Sequence, residues 1–514
     1  MEKILIIDFG SQYTQLIARR LRELKVFTKI VDPHHPYPID PTIKGIILSG
    51  GPGSTEETLH PLDPNVLNGK TPVLGICYGM QLINVLNKGR VESSPLKEYG
   101  KQRISIEKSN PIFKGLNEEE VVWMSHGDSI SDLAPNYRVT ARSHDGVVAA
   151  IQHQQFPHFG VQFHPEVTHT PNGHQILDNF LSLCCCSRDW TPHQVLENIK
   201  KEIRDKVQNG RVISLVSGGV DSTVATFLCY EALGPEKVIP IHVDSGLMRH
   251  NESKQVVELL RSHGMKNLDF IDASEEFLNS LTGISEPEKK RQIIGDLFIQ
   301  ILDREMAKLK VQDEKTYLCQ GTLYTDLIES GKGCGKKAAV IKSHHNVNSP
   351  FVDEKRQKGL IIEPNAQIFK DEVRSVGEAM GIPHHLVWRH PFPGPGLAIR
   401  IMGEVTKDRL ETLRAADEIY IDEIRKAGLY DHIWQAFAVL LPISTVGVMG
   451  DQRTEGHVIA LRAVSSADGM TADFSNLPHE ILGRVSTRII NEVPRINRVV
   501  LDVTSKPPGT IEWE

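Results

Sequence analysis

Short apolar runs that alternate with helical stretches constrain the fold of this chain more than any other sequence feature. Three such runs lie near the N-terminus, rich in Ile, Val and Leu and flanked by Gly or Pro: Lys3–Ile7, Gly45–Leu48 and Val73–Ile76. These properties are typical of strands buried on both faces of a parallel sheet. Helical spacing over Gln12–Leu24, between the first two runs, predicts a βαβ connection.

A second series of runs predicts a second α/β domain, with strands at Arg211–Val216, Val238–Val243 and Leu268–Ile271. Beyond the Pro/Gly sequence Pro391–Gly396, the helical segment Lys407–Ala427 precedes further strand-like runs, which is an α+β pattern. We expect two consecutive open parallel-sheet α/β domains followed by a smaller α+β domain. The predicted boundaries are 1–190, 191–389 and 390–514.

Charge and composition exclude some classes of protein. The 58 basic and 65 acidic residues give a net charge of -7, which argues against a protein that binds nucleic acid through its bulk charge. No apolar run approaches the roughly 20 residues of a membrane helix, and no secretory signal is recognisable. Seven cysteines without CxxC spacing favour reduced thiols. We expect a cytoplasmic protein with no membrane and no nucleic-acid partner.

A candidate nucleophile follows the third apolar run. Gly75-Ile76-Cys77-Tyr78-Gly79 has the form of the nucleophile elbow G-x-S-x-G, with Cys in place of Ser. The glycines permit a sharp turn from strand to helix, and the dipole at the helix N-terminus favours a thiolate. The alternative interpretation is a small buried Cys in a tight turn.

The triplet His164-Pro165-Glu166 offers a base and a carboxylate. Pro165 biases His164 towards an extended backbone, in which residues two apart point to the same side. A His that accepts the Cys proton and a carboxylate that orients the His complete the set needed for nucleophilic catalysis. A surface turn is the alternative. The Gly-rich segment Leu48–Ser54 could supply backbone N–H groups for an oxyanion hole, or could be a flexible turn.

Together these three segments resemble class I glutamine amidotransferases over residues 1–190. The resemblance implies a catalytic triad with Cys77 as nucleophile, His164 as base and Glu166 as orienting acid. It also implies residues that hold the glutamine and its oxyanion: Gly51, Tyr78 and Gln81. Ammonia is the product that such a domain passes on.

A second candidate site is the Gly-rich segment Ser217–Thr223, between a predicted strand and a helix. Its backbone N–H groups and the helix dipole suit phosphate oxygens. The Walker pattern is absent and the segment has no Lys, so it favours a grip on pyrophosphate with reaction at the α-phosphate. Asp221 could hold Mg²⁺. A structural turn is the alternative.

This segment resembles the loop of N-type ATP pyrophosphatases, which adenylate an oxygen and release pyrophosphate. Asp244 and Arg249 follow the next strand, where open α/β sheets place their ligands. Lys370 begins a charged helix that could equally be a solvated face. The resemblance implies contacts with ATP from Ser217, Gly218, Gly219, Val220, Asp221, Ser222, Thr223, Asp244 and Lys370.

Over its full length and in order, the chain is similar to the family of glutamine-hydrolysing GMP synthetases. The motifs that carry this similarity are Gln320–Asp326, Ile341–Asn346, Phe392–Gly396, Gly450–Thr454 and Ser505–Glu514. The resemblance implies that glutamine, XMP and ATP are substrates, with Mg²⁺ required, and that the C-terminal domain forms a homodimer. It implies that XMP is bound by Arg291, Gln452, Lys506 and Glu512.

Some positions depart from the family pattern. Val347–Pro350 replaces a usual glycine pair, Asn365-Ala366 replaces Leu-Arg, and Glu455 replaces a Tyr. These departures bear on loop closure and on the shape of the nucleotide pocket. Cys184-Cys185-Cys186 is also unusual. We interpret the three cysteines as packing at a helix end, with redox sensitivity as the alternative.

Two other functions compete. The first is another amidotransferase-coupled adenylating ligase, of the NAD or asparagine synthetase type, against which the tail Lys506–Glu514 argues. The second is a KH-like nucleic-acid-binding protein, because Gly447–Gly450 has the GxxG form. Residues 390–514 carry 13 Lys/Arg against 17 Asp/Glu, which opposes binding to a phosphate backbone.

Overall fold

The computed structural model describes residues 1–34, 39–55, 59–308, 315–329, 355–449, 451–466 and 471–514. It divides into two compact units, with the main boundary after Val195; the short described stretch 325–329 groups with the first unit. The predictions made for Ile341–Asn346, Val347–Pro350 and Gly450 lie outside the described residues. The division into three domains at residues 190 and 389 stays a prediction.

The first unit contains a mixed sheet of the order β2-β1-β3-β4-β9-β8-β7-β5-β6. One half of this sheet is parallel and is formed by β1 (Lys3–Ile7), β2 (Thr28–Val31), β3 (Ile43–Leu48), β4 (Val73–Ile76) and β9 (His158–Val161). The helices that flank it are α1 (Thr14–Glu23), α2 (Tyr78–Leu86) and α3 (Gly173–Leu183). The three predicted strands and the first helix are confirmed, within two residues at each end.

The other half of this sheet is antiparallel, which the sequence did not predict. It is formed by β5 (Arg90–Ile106), β6 (Glu119–Asp132), β7 (Tyr137–Ser143) and β8 (Val148–His153). Along β6, buried side chains alternate with more exposed ones, because one face of this half packs on the core and the other faces solvent. Such strands lack the continuous apolar runs that mark the parallel half.

The second unit begins with helix α4 (Pro192–Val207), which spans the boundary, and contains an all-parallel sheet of the order β12-β11-β10-β13-β14. Its strands are β10 (Arg211–Leu215), β11 (Val238–Asp244), β12 (Asp269–Asp272), β13 (Thr316–Cys319) and β14 (Ile361–Ile362). The helices along this part of the chain are α5 (Val220–Leu233), α6 (Glu252–Ser262), α7 (Ser274–Ser280), α8 (Pro287–Lys308), α9 (Tyr324–Glu329), α10 (Lys370–Ala379) and α11 (His384–Val387). The central strand β10 ends one residue before the Ser217–Thr223 loop.

The C-terminal part of the second unit is α+β. The long strands β15 (Gln435–Met449) and β16 (Gln452–Ser465) form an antiparallel hairpin, and β17 (Asp473–Phe474) and β18 (Ile496–Asp502) pair with β16. Helices α12 (Lys407–Lys426) and α13 (His479–Glu492) pack on this sheet. The predicted fold class is thus confirmed. Within the described ranges, no helix combines the length and apolar character that crossing a membrane requires.

Candidate active sites

Cys77 lies on a strained turn between β4 and α2. Its backbone has φ +52°, a left-handed conformation that non-glycine residues rarely adopt, and its N–H donates to Val161 O at 2.8 Å. A Cβ on Gly79 would lie 2.3 Å from the carbonyl oxygen of Leu48, and one on Gly75 would lie 2.5 Å from Gly79. A side chain at either position would clash with the backbone, so the two glycines are needed for the tight turn that holds Cys77.

His164 and Glu166 point to the same side of the chain, as their spacing predicts. His164 Nδ1 is 2.7 Å from Glu166 Oε1, and Cys77 is close enough to contribute to the raised pKa of His164. Both residues of the His–Glu pair are buried. The main chain around them is held by Thr170 Oγ1, which donates to His164 O at 2.7 Å. A carboxylate on one ring nitrogen orients the imidazole and leaves the other nitrogen for proton transfer with a thiol.

The proton affinity of His164 fits this arrangement. Burial by itself lowers the pKa of His164, but the charge of Glu166 and the hydrogen bonds with Cys77 and Glu166 outweigh burial and hold this pKa well above 6.5. A base with a raised pKa holds a proton taken from Cys77 and can deliver it to a leaving group. His164 is therefore suited to carry a proton between a nucleophile and a leaving group.

The predicted oxyanion residues lie near the same turn. A Cβ on Gly51 would lie 3.5 Å from Tyr78 Cγ and 2.9 Å from Phe9 O, so a side chain at Gly51 would collide with its surroundings. A Cβ on the neighbouring Gly50 would lie 3.4 Å from the His164 ring. The Gly-rich loop after β3 thus brings its backbone close to the nucleophile and the base.

Gln162 is a residue of this site that the sequence analysis missed. Its Nε2 donates to Cys77 Sγ at 3.5 Å, and its Oε1 accepts from Gln81 Nε2 at 3.2 Å. Gln81 Nε2 also donates to Asp128 O at 3.1 Å. The predicted glutamine-binding residue Gln81 is therefore linked to the nucleophile through Gln162. The only sequence signal for Gln162 is its position two residues before His164.

A buried hydrogen bond between His126 and Glu98 supports the segment of β6 beside Cys77, and it was also missed. His126 Nε2 lies 3.1 Å from Glu98 Oε2, and His126 Nδ1 lies 3.0 Å from Asp128 O. Burial lowers the pKa of His126 despite the charge of Glu98. Cys77 Sγ is 3.9 Å from Ser125 O, which is next to His126. This pair fixes the backbone segment that contacts both Cys77 and Gln81.

In the second unit, the Ser217–Thr223 loop has the predicted strand–turn–helix form. Gly218 has φ +82°, and α5 begins at Val220. Ser217 Oγ lies 3.0 Å from Ser222 Oγ and accepts from Gly219 N at 3.3 Å. The first turn of α5, with its backbone N–H groups, lies at the carboxyl end of the sheet, which suits an anion.

Asp221 is the charged centre of this loop. Its Oδ2 lies 3.0 Å from Lys370 Nζ at the start of α10, so two predicted ATP-binding residues are brought together. Its Oδ1 is buried and has no hydrogen-bond partner among the described residues. Asn365, a departure from the family pattern, donates from Nδ2 to Asp221 O at 2.9 Å.

The Oδ1 atom of Asp221, which has no hydrogen-bond partner within the described ranges, is suited to serve as one oxygen ligand of Mg²⁺. The described part of the chain holds no group of three or more His, Cys, Asp or Glu placed to bind a metal. Mg²⁺ in nucleotide sites commonly takes one or two carboxylates and fills its shell with phosphate oxygens and water. A single available carboxylate oxygen beside a phosphate loop matches that pattern.

Asp244 and Arg249 follow β11, as expected. Asp244 Oδ1 accepts from Gly246 N at 2.9 Å and so orders the turn after the strand. Arg249 is half-buried, lies 3.4 Å from Asp417 and stacks its guanidinium over the Phe392 ring at 4.5 Å. Arg249 thus joins the strand end to the segment Phe392–Gly396 and to α12.

The residues predicted to bind XMP are not all brought together within one chain. An Arg291 guanidinium nitrogen donates to Glu514 O at 2.5 Å, and Glu512 pairs with Arg400 at 2.8 Å. Lys506 exchanges backbone hydrogen bonds with Ala472. Gln452, in contrast, is exposed at the tip of the β15–β16 hairpin, opposite Met449.

Three family models match this chain. A glutamine amidotransferase class-I model matches residues 5–184, an NAD synthase model matches 193–296, and a GMP synthase C-terminal domain model matches 422–513. The fold and the geometry around Cys77 thus define a class I glutamine amidotransferase domain, followed by an NAD synthase-like segment.

Similarity to individual proteins extends over the whole chain. The glutamine-hydrolysing GMP synthase of Phenylobacterium zucineum (strain HLK1) is 51% identical over 524 residues, covering 100% of this chain and 99% of that protein. Its counterpart from Symbiobacterium thermophilum is 49% identical over 517 residues, covering 99% of each. A crystal structure from Thermoplasma acidophilum, of a putative GMP synthase subunit, is 36% identical, covers 36% of this chain and 94% of its own, and has a TM-score of 0.32. The chain belongs to the family of glutamine-hydrolysing GMP synthases.

Proposed function

We propose that this protein converts XMP, ATP, glutamine and water into GMP, AMP, diphosphate and glutamate. One observation supports this proposal most strongly. A single chain of this family has both a Cys–His–Glu site and a phosphate loop without lysine. The first site suits hydrolysis of an amide and the second suits attack at an α-phosphate. The enzyme is thus a ligase of purine biosynthesis that forms a carbon–nitrogen bond with glutamine as the amido donor.

The glutaminase step uses the site around Cys77. The Cys77 thiolate attacks the side-chain carbonyl of glutamine, while the backbone N–H groups of Gly51 and Tyr78 receive the negative charge on the oxygen. His164, oriented by Glu166, gives its proton to the departing ammonia. Water then attacks the thioester, with His164 as base, and releases glutamate. The raised pKa of His164 supports its role as the proton carrier.

The acceptor is activated in the second unit. The C2 oxygen of XMP attacks the α-phosphate of ATP, and diphosphate, bound by the Ser217–Thr223 loop, is the leaving group. Lys370 and the N-terminus of α5 provide the positive charge that this leaving group needs. Mg²⁺, held by the free oxygen of Asp221 and by phosphate oxygens, would offset further charge. Asp244 lies at the strand end where the nucleotide would bind.

Amination follows adenylation. The C2 oxygen of XMP is a poor leaving group, and its adenylate is a good one, so ammonia attacks C2 and expels AMP. Ammonia in bulk water is mostly protonated and not nucleophilic, and shielding it between the two sites keeps it reactive. Arg291, Gln452, Lys506 and Glu512 remain our candidates for binding XMP. A cytoplasmic location suits the free cysteines described for this chain.

A homodimer would bring Gln452 from a second chain towards the XMP site, because the β15–β16 hairpin carries it away from the body of its own unit. Apolar side chains on this hairpin and beyond β18 support such a contact. Val448 is 75% exposed, Val503 is 56% exposed and Ile443 is 50% exposed. Single exposed apolar residues are ordinary, but several on one sheet mark an interface. Sedimentation velocity at micromolar concentration should give twice the chain mass, and a monomer alone would refute the dimer.

Replacement of Cys77 tests the division of labour. In Cys77→Ala, GMP formation from glutamine should be lost, whereas GMP formation from ammonium salts at high pH should persist at close to the unsubstituted rate. The reason is that ammonia supplied from solution bypasses the thioester. Both rates are measured by the change in absorbance as XMP becomes GMP. Loss of both activities in a folded variant would contradict separate sites.

A further inference from the structure

Lys290 on helix α8 is a buried lysine whose ammonium group has a full set of acceptors. The residue is 0% exposed. Its Nζ donates to Ala398 O at 3.2 Å, to Ile401 O at 2.8 Å and to Glu514 Oε2 at 2.6 Å. An ammonium group has three N–H donors, so all of them are used. Because a buried charge without a countercharge is strongly unfavourable, the carboxylate of Glu514 is the contact on which this site depends.

This contact holds the segment that follows β18, residues 503–514, which we call the tail segment. The tail segment contains no named helix or strand. An irregular segment of this kind is poorly ordered unless contacts tie it down. Glu514 is tied to α8 twice, because Arg291 Nη2 also donates to Glu514 O at 2.5 Å. Two successive basic residues of one helix thus hold the same residue of the tail segment.

Other buried groups fix the tail segment around Glu512. Arg400, which is fully buried, donates from Nε and Nη2 to the two carboxylate oxygens of Glu512 at 3.0 and 2.8 Å. Gln435 Nε2 donates to Glu512 Oε1 at 2.7 Å. The buried Arg462 donates to the main-chain oxygen of Ile511 at 2.8 Å. The orientation of the Glu512 carboxylate is therefore set by contacts within the second unit.

Two of our candidates for binding XMP are neighbours of the Lys290–Glu514 pair. Arg291 follows Lys290 on α8, and Glu512 lies two residues before Glu514. Arg291 Nη1 makes no hydrogen bond with any residue that the structure describes, so part of the guanidinium is left for a phosphate group. The amine of Lys290 has no hydrogen left for the nucleotide. A role of the pair in binding XMP is therefore indirect.

We propose that Lys290 and Glu514 form a positioning pair, which fixes the tail segment against α8 and so holds Glu512 and Arg291 in place to bind XMP. The inference rests on the proposed function, because it assigns the pair a role at the XMP site. Neither residue of the pair touches the nucleotide. Without the ion pair, the end of the tail segment is free to move away from α8, and XMP must order it on binding.

Substitution of each partner by Met tests the positioning role, since Met has a similar length and no charge. In the full-length chain with ammonium salts as the nitrogen source, Lys290→Met and Glu514→Met should each raise the KM for XMP roughly tenfold, the cost of one charged hydrogen bond. The KM for ATP at saturating XMP should stay unchanged. Lower thermal stability with an unchanged KM for XMP would overturn the proposal, because the pair would then be structural only.

The conservative variant Glu514→Gln keeps an oxygen that accepts from Lys290. It should fold like the unsubstituted chain and raise the KM for XMP less than Glu514→Met does. An equal increase in the two variants would contradict a role for the contact with Lys290.

The double variant tests whether the two residues act as one pair. Since either single substitution removes the same ion pair, Lys290→Met combined with Glu514→Met should raise the KM for XMP no further than the larger single effect. An increase equal to the product of the two single effects would show independent roles and overturn the proposal.

Lys289 offers a matched control, because it precedes Lys290 on α8 and is exposed. Lys289→Met should leave the KM for XMP unchanged, and an increase equal to that of Lys290→Met would contradict the role of the buried pair. The unsubstituted chain separates the two levels of inference. If it forms no GMP, the proposed function fails. If it forms GMP and Lys290→Met has the same KM for XMP, only the positioning role fails.

Discussion

At the scale of single residues, Gln162 links the two tasks of the amidotransferase site. Its amide nitrogen donates to Cys77, our proposed nucleophile, and its amide oxygen accepts from Gln81. The orientation of Gln162 is fixed by these two contacts, since only the nitrogen can donate to sulfur while the oxygen accepts. A side chain held in this way positions Cys77 and stabilises negative charge on it.

We expect Gln162→Met to lower the glutamine-dependent rate by about tenfold to a hundredfold, the cost of losing one preorganised donor. The ammonia-dependent rate should stay unchanged. Gln152 on β8 is a matched control, since its side chain bonds Arg138 instead of the site. If Gln152→Met has the same effect as Gln162→Met, the contact with Cys77 has no special role.

The sequence predicted part of this site because some residues have a short-range signature. The tight turn requires glycine at positions 75 and 79 and places Cys77 between them. The spacing of His164 and Glu166 follows from the two-residue period of an extended chain. Gln162 lies between two apolar residues and has no comparable signature, and the pair Glu98–His126 joins residues 28 apart. Their roles depend on strand pairing, which a single sequence does not reveal.

At the scale of secondary-structure elements, the buried parallel strands were predictable and the antiparallel half of the first sheet was not. Strands such as β1 and β4 are nearly all apolar, because helices cover both faces. Strand β5 is polar along much of its length, and its pairing with β6 includes a shift in register between Ser93 and Glu98. Without an apolar run or a tight-turn motif, such a strand resembles a loop in the sequence.

His390 contacts two segments of the second unit, and its lowered pKa leads us to predict how the stability of the protein depends on pH. Its ring stacks on Tyr430, its Nε2 donates to Tyr430 O at 2.9 Å, and its Nδ1 accepts from Ala436 N at 3.2 Å. Both nitrogens are used by the neutral ring, and burial lowers the pKa of His390 to about 4. The contribution of His390 to stability is therefore full above about pH 6.5, the ordinary value for His.

Stability should fall as the pH drops from about 6.5 to about 4, because the unfolded chain gains a proton that folded His390 resists. The shift corresponds to about 3 kcal/mol for this one group. Urea denaturation at a series of pH values measures the midpoint. In His390→Gln the midpoint should be lower at neutral pH but should change less between pH 6.5 and 4. An equal pH dependence in the variant would show that His390 does not titrate in this range.

Across the whole second unit, one large hydrophobic cluster extends through both of its sheets. The same hydrophobic cluster includes Ile213 and Ile241 of the parallel sheet, Leu413 of α12 and Ile459 of β16. Arg249 adds a polar link between the strand end and Asp417 on α12. The nucleotide loop and the C-terminal sheet therefore belong to one packed body. We infer that the tail residues near Arg291 and Arg400 keep a fixed position relative to the phosphate loop.

Adenylation of XMP by the second unit is the step on which the proposed function depends. XMP labelled with ¹⁸O at C2 tests this step, since the oxygen that attacks the α-phosphate leaves with AMP. With ATP and glutamine, we expect AMP to carry the ¹⁸O, as measured by mass spectrometry, and GMP to carry none. Appearance of the label in orthophosphate, together with ADP, would refute the proposal, because the oxygen would then have attacked the γ-phosphate.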